Sequence, residues 1–184
     1  AFARLARRLG MRAPLAEAFE KKLYKPGGRL ELEVLKGLAA LKDERARPGL
    51  EALSRGAEFC VFVDLNKGCI EQIEGALEKT GFKSRGKPLL GNALSDLSWL
   101  PFRSGVSQYD LIYLGPPYKD EAARPLAYST RALARVAEAG LLGPKGWLML
   151  QHHVKEDVIV PPGLESFRRM KYGDTFVDFL RRAA

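Results

Sequence analysis

The sequence has few of the residues that build disulfide frameworks and metal sites. Only two of its 184 residues are cysteine and two are histidine. Cys60 and Cys69 lack the CxxC or Cys/His spacing of zinc sites, which predicts small core residues in a reducing compartment. His152 and His153 are adjacent, and neighbours on a strand point to opposite faces, so the pair cannot easily chelate one metal. A structural or substrate-edge role is predicted for them, and no metal.

Long apolar runs are also missing. No run approaches the roughly 18 residues that a membrane-spanning helix needs, and no secretory segment opens the sequence. We therefore expect no membrane partner. With 46% hydrophobic and 28% charged residues, the composition is ordinary for a globular protein, and 184 residues are enough for one α/β domain with a full core.

Positive charge is present in excess. The net charge is +8, and the first 50 residues hold twelve Lys/Arg against six Asp/Glu, so most of the excess lies there. Such a field attracts polyanions and makes nucleic acid the favoured partner, although many proteins are basic for solubility alone.

The N-terminal stretch AFARLARRLGMRAPL predicts an arginine-rich amphipathic helix. It forms part of a basic extension over residues 1–28, which the KPGG break separates from a domain over residues 29–184. The helix suits a phosphate backbone, and its predicted RNA-binding residues are Arg4, Arg7, Arg8 and Arg12. The same composition is typical of organellar targeting segments, so a mitochondrial or chloroplast location is expected, with the bacterial cytoplasm as the alternative.

Strands and helices alternate along the rest of the chain. After the KPGG break, leucines at helical spacing favour a helix over residues 30–41 against a strand through RLELEVL. From Gly49 on, the pattern predicts helices over GLEALSRGA, KGCIEQIEGALEKTGF and ARPLAYSTRALARVAEAGLL. Strands are predicted over FCVFVD, KPLL, YDLIYL and GWLMLQHH, followed by two edge strands joined through Gly173 and Asp174. Apolar strands alternating with helices indicate an α/β fold, a parallel sheet with helices on both faces.

Ligands of such sheets bind beyond the carboxyl ends of the strands. Asp64 ends one predicted strand and could accept both hydroxyls of a ribose. Asn92 follows the next strand, where an adenine edge would lie. Gly115, Pro116, Pro117 and Tyr118 follow a third, and the two prolines stiffen that turn so that the tyrosine can stack on a flat ligand. The alternatives are a turn residue or helix cap for Asp64, an ordinary turn at GNAL, and a packing tyrosine at Tyr118.

Taken together, GLEALSRGAEFCVFVD, GNAL, YDLIYLGPPY, EAGLLGPKGWLMLQHH and YGDT resemble the bacterial small-subunit ribosomal RNA guanine-N2 methyltransferases, the RsmD family. The resemblance covers residues 49 to 175. It implies a class I methyltransferase fold of Rossmann-like type, S-adenosylmethionine as cofactor, and ribosomal RNA as partner. It also implies a cofactor site at Gly49, Asp64 and Asn92.

In this family an Asp or Asn precedes Pro-Pro-Tyr, and its side-chain oxygen and a backbone carbonyl accept hydrogen bonds from the exocyclic amine of a flipped guanine. By resemblance, Tyr118 stacks on the base and Pro116 offers its carbonyl. Gly115 has no side chain to offer.

The sequence departs from the family pattern at two further places, both at positions implied to bind the cofactor. The family reads D-x-F-A-G-S-G before GLEALSRGA, whereas residues 42–48 here are charged and contain no glycine, and Asn92 stands where the family has an acid. Either the protein has replaced a central strand and its loop, or the sequence before Gly49 lacks residues.

These departures leave two interpretations open. One is a catalytically degenerate, ribosomal-RNA-binding relative that also meets ribosomal proteins and needs no cofactor. The other is an active S-adenosylmethionine-dependent methyltransferase with a rebuilt loop. The degenerate interpretation is favoured.

Overall fold

The computed structural model describes residues 47–117 and 127–184. Several sequence predictions lie outside this part of the chain: the basic extension, the domain start at residue 29, the helix over residues 30–41, and Tyr118. The chain divides into two compact units, of which the first ends at Asn92 and the second begins at Ala93. Each unit is described by itself below.

The first unit, over its described residues 47–92, contains two helices and two strands. Helix α1 is Arg47–Ser54, strand β1 is Cys60–Asp64, helix α2 is Lys67–Lys79, and strand β2 is Gly86–Leu90. β1 and β2 pair in parallel, with Asp64 opposite Leu90. This is the βαβ unit that the alternating pattern predicts.

Local sequence explains the boundaries of α2. The side chain of Asn66 accepts hydrogen bonds from the backbone N–H groups of Gly68 and Cys69, as an N-cap does. After the helix, Gly81 takes a positive φ of 72°, which an L side chain rarely adopts. The buried residues of the helix recur at helical spacing and are Cys69, Ile70, Ile73, Ala76 and Leu77. The last four of these pack into the core of this unit with Leu50, Leu53 and Phe62.

Arg85 ties the end of α1 to the start of β2. Its guanidinium donates hydrogen bonds to the backbone carbonyls of Leu53 (3.1 Å), Glu58 (3.3 Å) and Ala57. The Leu53 carbonyl, in the last turn of α1, also accepts from the Gly56 N–H at 3.2 Å, and Ala57 and Glu58 lie in the loop that follows, so this side chain links the helix end and its loop to β2.

The second unit, residues 93–184, contains a four-stranded sheet and two described helices. Helix α3 is Trp99–Ser104, β3 is Tyr109–Leu114, α4 is Ser129–Glu138, β4 is Leu142–His153, β5 is Leu164–Tyr172 and β6 is Thr175–Arg182. The strand order is β3-β4-β6-β5. Only β3 and β4 are parallel; β6 runs antiparallel to both β4 and β5.

β4 forms the centre of the second unit. Leu148, Met149 and Leu150 are consecutive and have no exposed surface, so both faces of the strand are covered. A continuous apolar run is what such a doubly buried strand requires.

The α/β class and the predicted elements from Gly49 on are confirmed, with corrections in the second unit. The last two strands do form a hairpin through Gly173 and Asp174, but only β5 lies at the sheet edge, because β6 inserts between β4 and β5. The sheet is mixed rather than wholly parallel. The helix α3 was not predicted. The helix predicted over residues 123–142 begins at Ser129 within the described residues, and it ends at Glu138 because Gly140 takes a positive φ and Leu142 already belongs to β4.

Candidate functional site

Asp64 and Asn92 lie at the same end of the β1–β2 pair. The two strands are parallel, so their carboxyl ends are adjacent, and the backbone N–H of Gly91 donates to the carbonyl of Asp64 at 3.0 Å. Asn92 is the next residue along. The structure therefore places these two predicted cofactor residues at one edge, which we call the β1–β2 edge and define as Asp64, Leu65, Gly91 and Asn92.

Asp64 also shapes the turn that follows it. Its Oδ1 accepts a hydrogen bond from the backbone N–H of Asn66 at 2.7 Å, and Asn66 in turn caps α2. The turn role that the sequence offered as the alternative is thus present. The ribose contact of Asp64 and the adenine contact of Asn92 stay predictions.

Leu65 is a residue of this edge that sequence reasoning missed. Its side chain is 68% exposed, and Leu90 at the end of β2 is 46% exposed. An apolar side chain beside a carboxylate gives a flat heterocycle a surface to pack on while a polar group fixes its orientation. The available signal was a leucine placed directly after a strand-terminal aspartate, where a turn would ordinarily carry a polar residue.

Gly49 has a packing reason to be glycine. It lies in α1, and a Cβ atom there would come within 2.3 Å of Phe62 Cε1 and 2.9 Å of Cys60 Sγ. The glycine thus lets the helix lie close against β1. Its predicted contact with a cofactor stays a prediction, and residues 42–46 before it lie outside the described residues.

Gly115, Pro116 and Pro117 follow β3 and form what we call the β3 turn. Gly115 and Pro116 are half-buried, and Pro117 is exposed. The stacking role of Tyr118 and the carbonyl role of Pro116 stay predictions.

Tyr113 occupies the space where a side chain at position 115 would begin. An ideal Cβ on Gly115 would lie 2.8 Å from the Tyr113 hydroxyl oxygen and 3.0 Å from its Cε1. The hydroxyl itself donates a hydrogen bond to Gln151 Oε1 on β4, at 2.9 Å. Residues two apart on a strand share a face, which is why Tyr113 can reach this position. Sequence reasoning passed over Tyr113 and Gln151, because nothing local to either residue pairs them.

His152 proves to be part of a buried ionic group. Its ring is 1% exposed, with Nε2 3.1 Å from Asp178 Oδ2 and Nδ1 3.1 Å from the carbonyl oxygen of His153. Arg169 also binds Asp178, through Nε and Nη2 at 2.6 and 2.8 Å. Burial raises the pKa of the Asp178 carboxyl, but hydrogen bonds from Arg169 and His152 outweigh it and hold that pKa below its ordinary value. Of the two roles predicted for His152, these contacts match the structural one.

The short helix α3 carries an exposed aromatic side chain. Phe102 is 93% exposed, and the neighbouring Arg103 guanidinium lies over the Trp99 ring at 5.1 Å from its centroid. Aromatic rings and guanidinium planes are the surfaces on which unpaired nucleobases stack. The sequence analysis missed this helix and therefore this surface.

Within residues 47–117 and 127–184 no three His, Cys, Asp or Glu side chains come together as metal ligands would. In the same ranges no helix has the length and apolar character needed to cross a membrane. The predicted RNA-binding residues Arg4, Arg7, Arg8 and Arg12 lie outside the described residues.

Comparison with known proteins adds sequence and fold relationships. The family model "Conserved hypothetical protein 95" matches residues 46–181. The candidate rRNA methyltransferase YlbH of Bacillus subtilis is 27% identical over 160 residues, covering 86% of this chain and 78% of that protein.

Among solved structures, the candidate methylase HI0767 of Haemophilus influenzae superposes with a TM-score of 0.59 at 21% identity, over 74% of this chain and 80% of that one. The candidate methyltransferase SMU.776, solved in complex with SAH, gives a TM-score of 0.56 at 11% identity, over 93% of this chain and 50% of that one. The predicted class I methyltransferase fold is therefore confirmed.

Proposed function

Because this chain belongs to the RsmD-like ribosomal RNA methyltransferase family, which the model Conserved hypothetical protein 95 describes, we propose that it binds ribosomal RNA on a methyltransferase scaffold. We further propose that its methyl transfer to guanine N2 is strongly reduced or lost. It would then act as a ribosome component or assembly factor, in an organelle or in the bacterial cytoplasm.

Gly115 is the observation that carries the loss of activity. The family places an Asp or Asn oxygen here to accept a hydrogen bond from the reacting amine, and Gly115 provides none. A Cβ at position 115 would lie 2.8 Å from the Tyr113 hydroxyl oxygen, so a side chain there would require Tyr113 to shift. Removing one such contact from a transition state typically slows a reaction by about 10²- to 10³-fold.

The β1–β2 edge fits the adenosine half of S-adenosylmethionine. Asp64 offers a carboxylate for ribose hydroxyls, Leu65 an exposed apolar surface, and Asn92 an amide for an adenine edge. When bound, this cofactor supplies an electrophilic methyl group carried on a sulfonium sulfur. The protein residues would hold and orient it at this edge.

This edge also favours a second candidate function, an active guanine-N2 methyltransferase. Asp64 also shapes its turn, but RNA binding alone does not account for an exposed leucine directly after that carboxylate. If the edge binds the cofactor, the scaffold keeps one of the two requirements for catalysis.

The RNA partner is supported by charge and by α3. The net charge is +8, with most of the excess in the first 50 residues. Phe102 and Arg103 add an exposed ring and a cation in the second unit. A chain that neutralises about six phosphates loses about 10³-fold in RNA affinity between 50 and 200 mM salt. If Arg4, Arg7, Arg8 and Arg12 contact phosphate, deleting residues 1–25 flattens that dependence.

Two measurements on the full chain test the proposal. The first is calorimetric titration with S-adenosylmethionine, and the second is transfer of its labelled methyl group to small-subunit ribosomal RNA. We expect RNA binding with strong salt dependence and little or no label in guanine. Micromolar cofactor binding together with repeated turnover would establish the second function instead. RNA affinity that is weak and flat with salt would contradict both and favour a small-molecule or protein substrate.

A further inference from the structure

We propose that the edge strand β5 binds the phosphate backbone of RNA through Arg169 and Lys171. We call these two residues, together with Phe176 on β6, the β5 phosphate site. This inference rests on the proposed function, in that the partner is RNA. It requires neither a cofactor nor methyl transfer.

The strand register brings the two cations to one face of the sheet. Arg169 and Lys171 are two residues apart on β5, so their side chains point the same way from positions roughly 7 Å apart. On β6, Asp178 lies opposite Arg169, and Phe176 lies opposite Lys171. Lys171 is exposed, and the Arg169 side chain is 51% exposed. Both cations can therefore contact one polyanion at the same time.

Arg169 is already held in a fixed position. Its Nε and Nη2 donate hydrogen bonds to Asp178 Oδ1 and Oδ2, at 2.6 and 2.8 Å. Its guanidinium also lies over the Phe176 ring, at 4.9 Å from the centroid. A side chain that is fixed in advance loses less conformational freedom when a ligand binds. Asp178 and Phe176 are thus positioning residues for Arg169.

The guanidinium keeps donors for a second acceptor. An arginine has five N–H groups, and the two hydrogen bonds to Asp178 use the Nε–H and one Nη2–H. The two Nη1–H groups and the other Nη2–H are left, and they form a second fork at the end of the side chain. Two parallel N–H groups of this kind match two oxygens of a phosphate.

A second arginine, Arg181, shows what distinguishes this site. Arg181 also binds a carboxylate, Glu165 at 2.6 Å, and lies over an aromatic ring, Phe167 at 5.4 Å. However, the Glu165 side chain is 42% exposed and would repel a phosphate, whereas the Asp178 side chain is 2% exposed. Arg181 is three residues from Asp178 on β6, so it points to the opposite face. It is therefore a matched arginine outside the site.

The experiment measures binding of the full chain to a labelled single-stranded uridine tract, by fluorescence anisotropy at salt concentrations between about 50 and 200 mM. Lys171→Gln should lower the slope of log Kd against log salt concentration by about 0.7, the value of one phosphate contact on a single strand. Arg181→Gln removes the same charge from the other face and should leave the slope unchanged.

Arg169→Lys tests the fork separately from the charge. The lysine keeps a cation beside Asp178, so the fold should survive, but it cannot present two parallel N–H groups to a phosphate. We expect it to weaken binding to the uridine tract about tenfold. Thermal melting shows that each variant is folded, and Lys171→Gln tests the site even if Arg169→Lys is not.

Two results would overturn the inference. Lys171→Gln and Arg181→Gln could give equal slopes, which would mean that only the total charge matters, or a folded Arg169→Lys could bind as tightly as the wild type. If the wild type still binds RNA with a steep salt dependence, the proposed RNA binding stands without this site. Weak binding by the wild type that is flat with salt would overturn both.

Discussion

The two units of this protein carry different kinds of side chain at the carboxyl ends of their strands. At the β1–β2 edge, Asp64 ends its strand beside Asn92 and an exposed Leu65, a set of groups that suits a nucleoside. At the β3 turn, the side chain expected for catalysis is missing and Tyr113 stands in its space. Within the described residues, the β3 turn therefore lacks the side chain that would act on the base, whereas the β1–β2 edge keeps groups that would suit the cofactor, even though residues 42–48 and Asn92 also depart from the family sequence.

Restoring the missing side chain is the most demanding test of this contrast. Gly115→Asn alone would drive a Cβ to 2.8 Å from the Tyr113 hydroxyl, so we combine it with Tyr113→Ala. If the missing side chain at position 115 is the reason for the lost activity, the double variant should transfer methyl groups to ribosomal RNA about 10²-fold faster than the wild type. Incorporation of labelled methyl into guanine measures this.

The single Tyr113→Ala variant is the control and should gain nothing. A double variant that still binds cofactor and RNA but transfers no faster would place the defect elsewhere, in the residues before Gly49.

Each unit contains a buried carboxylate paired with an arginine, Glu51 with Arg55 in the first unit and Asp178 with Arg169 and His152 in the second. Asp178→Asn should lower the free energy of unfolding by about 2 to 3 kcal/mol, less than for a fully buried pair because half of Arg169 is exposed. Glu165→Gln breaks only the exposed pair with Arg181 and should cost less than about 1 kcal/mol.

The effect of Asp178 should depend on pH. Its pKa is depressed in the folded protein, so its contribution is complete above the ordinary aspartate pKa of about 3.9 and disappears as pH falls through the lower folded value. Urea unfolding at pH 7 and at successively lower pH should show wild type and Asp178→Asn converging in acid. A constant difference down to the lowest pH would contradict the ionic explanation.

At the β1–β2 edge, Asp64→Asn tests the cofactor side of the comparison. The amide keeps an oxygen for the Asn66 N–H, so the turn should survive, but the charge that would bind ribose hydroxyls is gone. We expect calorimetry to show affinity for S-adenosylmethionine weakened about 10- to 100-fold. Asp157→Asn, which changes an exposed aspartate of the second unit, serves as the control. If the two variants bind S-adenosylmethionine with equal affinity, Asp64 does not contribute to the cofactor site.

Much of the first unit was predictable because its signals are local. The Gly81 stop and the helical spacing of Ile70, Ile73 and Leu77 all act within a few residues, and the structure follows them. The order of Asp64 and Asn92 after successive parallel strands likewise placed them at one edge.

The second unit was harder to predict because its decisive contacts join distant residues. The start of α4 is capped by Glu156, whose Oε1 accepts from the Ser129 N–H at 2.8 Å across 27 positions. Tyr113 and Gln151 are 38 positions apart, and Asp178 meets His152 across 26. No periodicity or turn signal encodes such pairs, so the sequence predicted the β3 turn but not the tyrosine that fills it.

The smallest predicted effects compare two glycines of the first unit. Gly49→Ala places a Cβ against the buried Phe62 ring, so overpacking should cost about 1 to 2 kcal/mol after the gain in helix propensity. Gly75 lies inside α2 with nothing within 4 Å of an added Cβ, and Gly75→Ala should stabilise by about 0.5 to 1 kcal/mol. Hydrogen exchange locates the change, with faster exchange in β1 for Gly49→Ala and unaltered exchange in β4. A neutral Gly49→Ala would mean that α1 can move away from β1, and the close approach would not be what requires glycine.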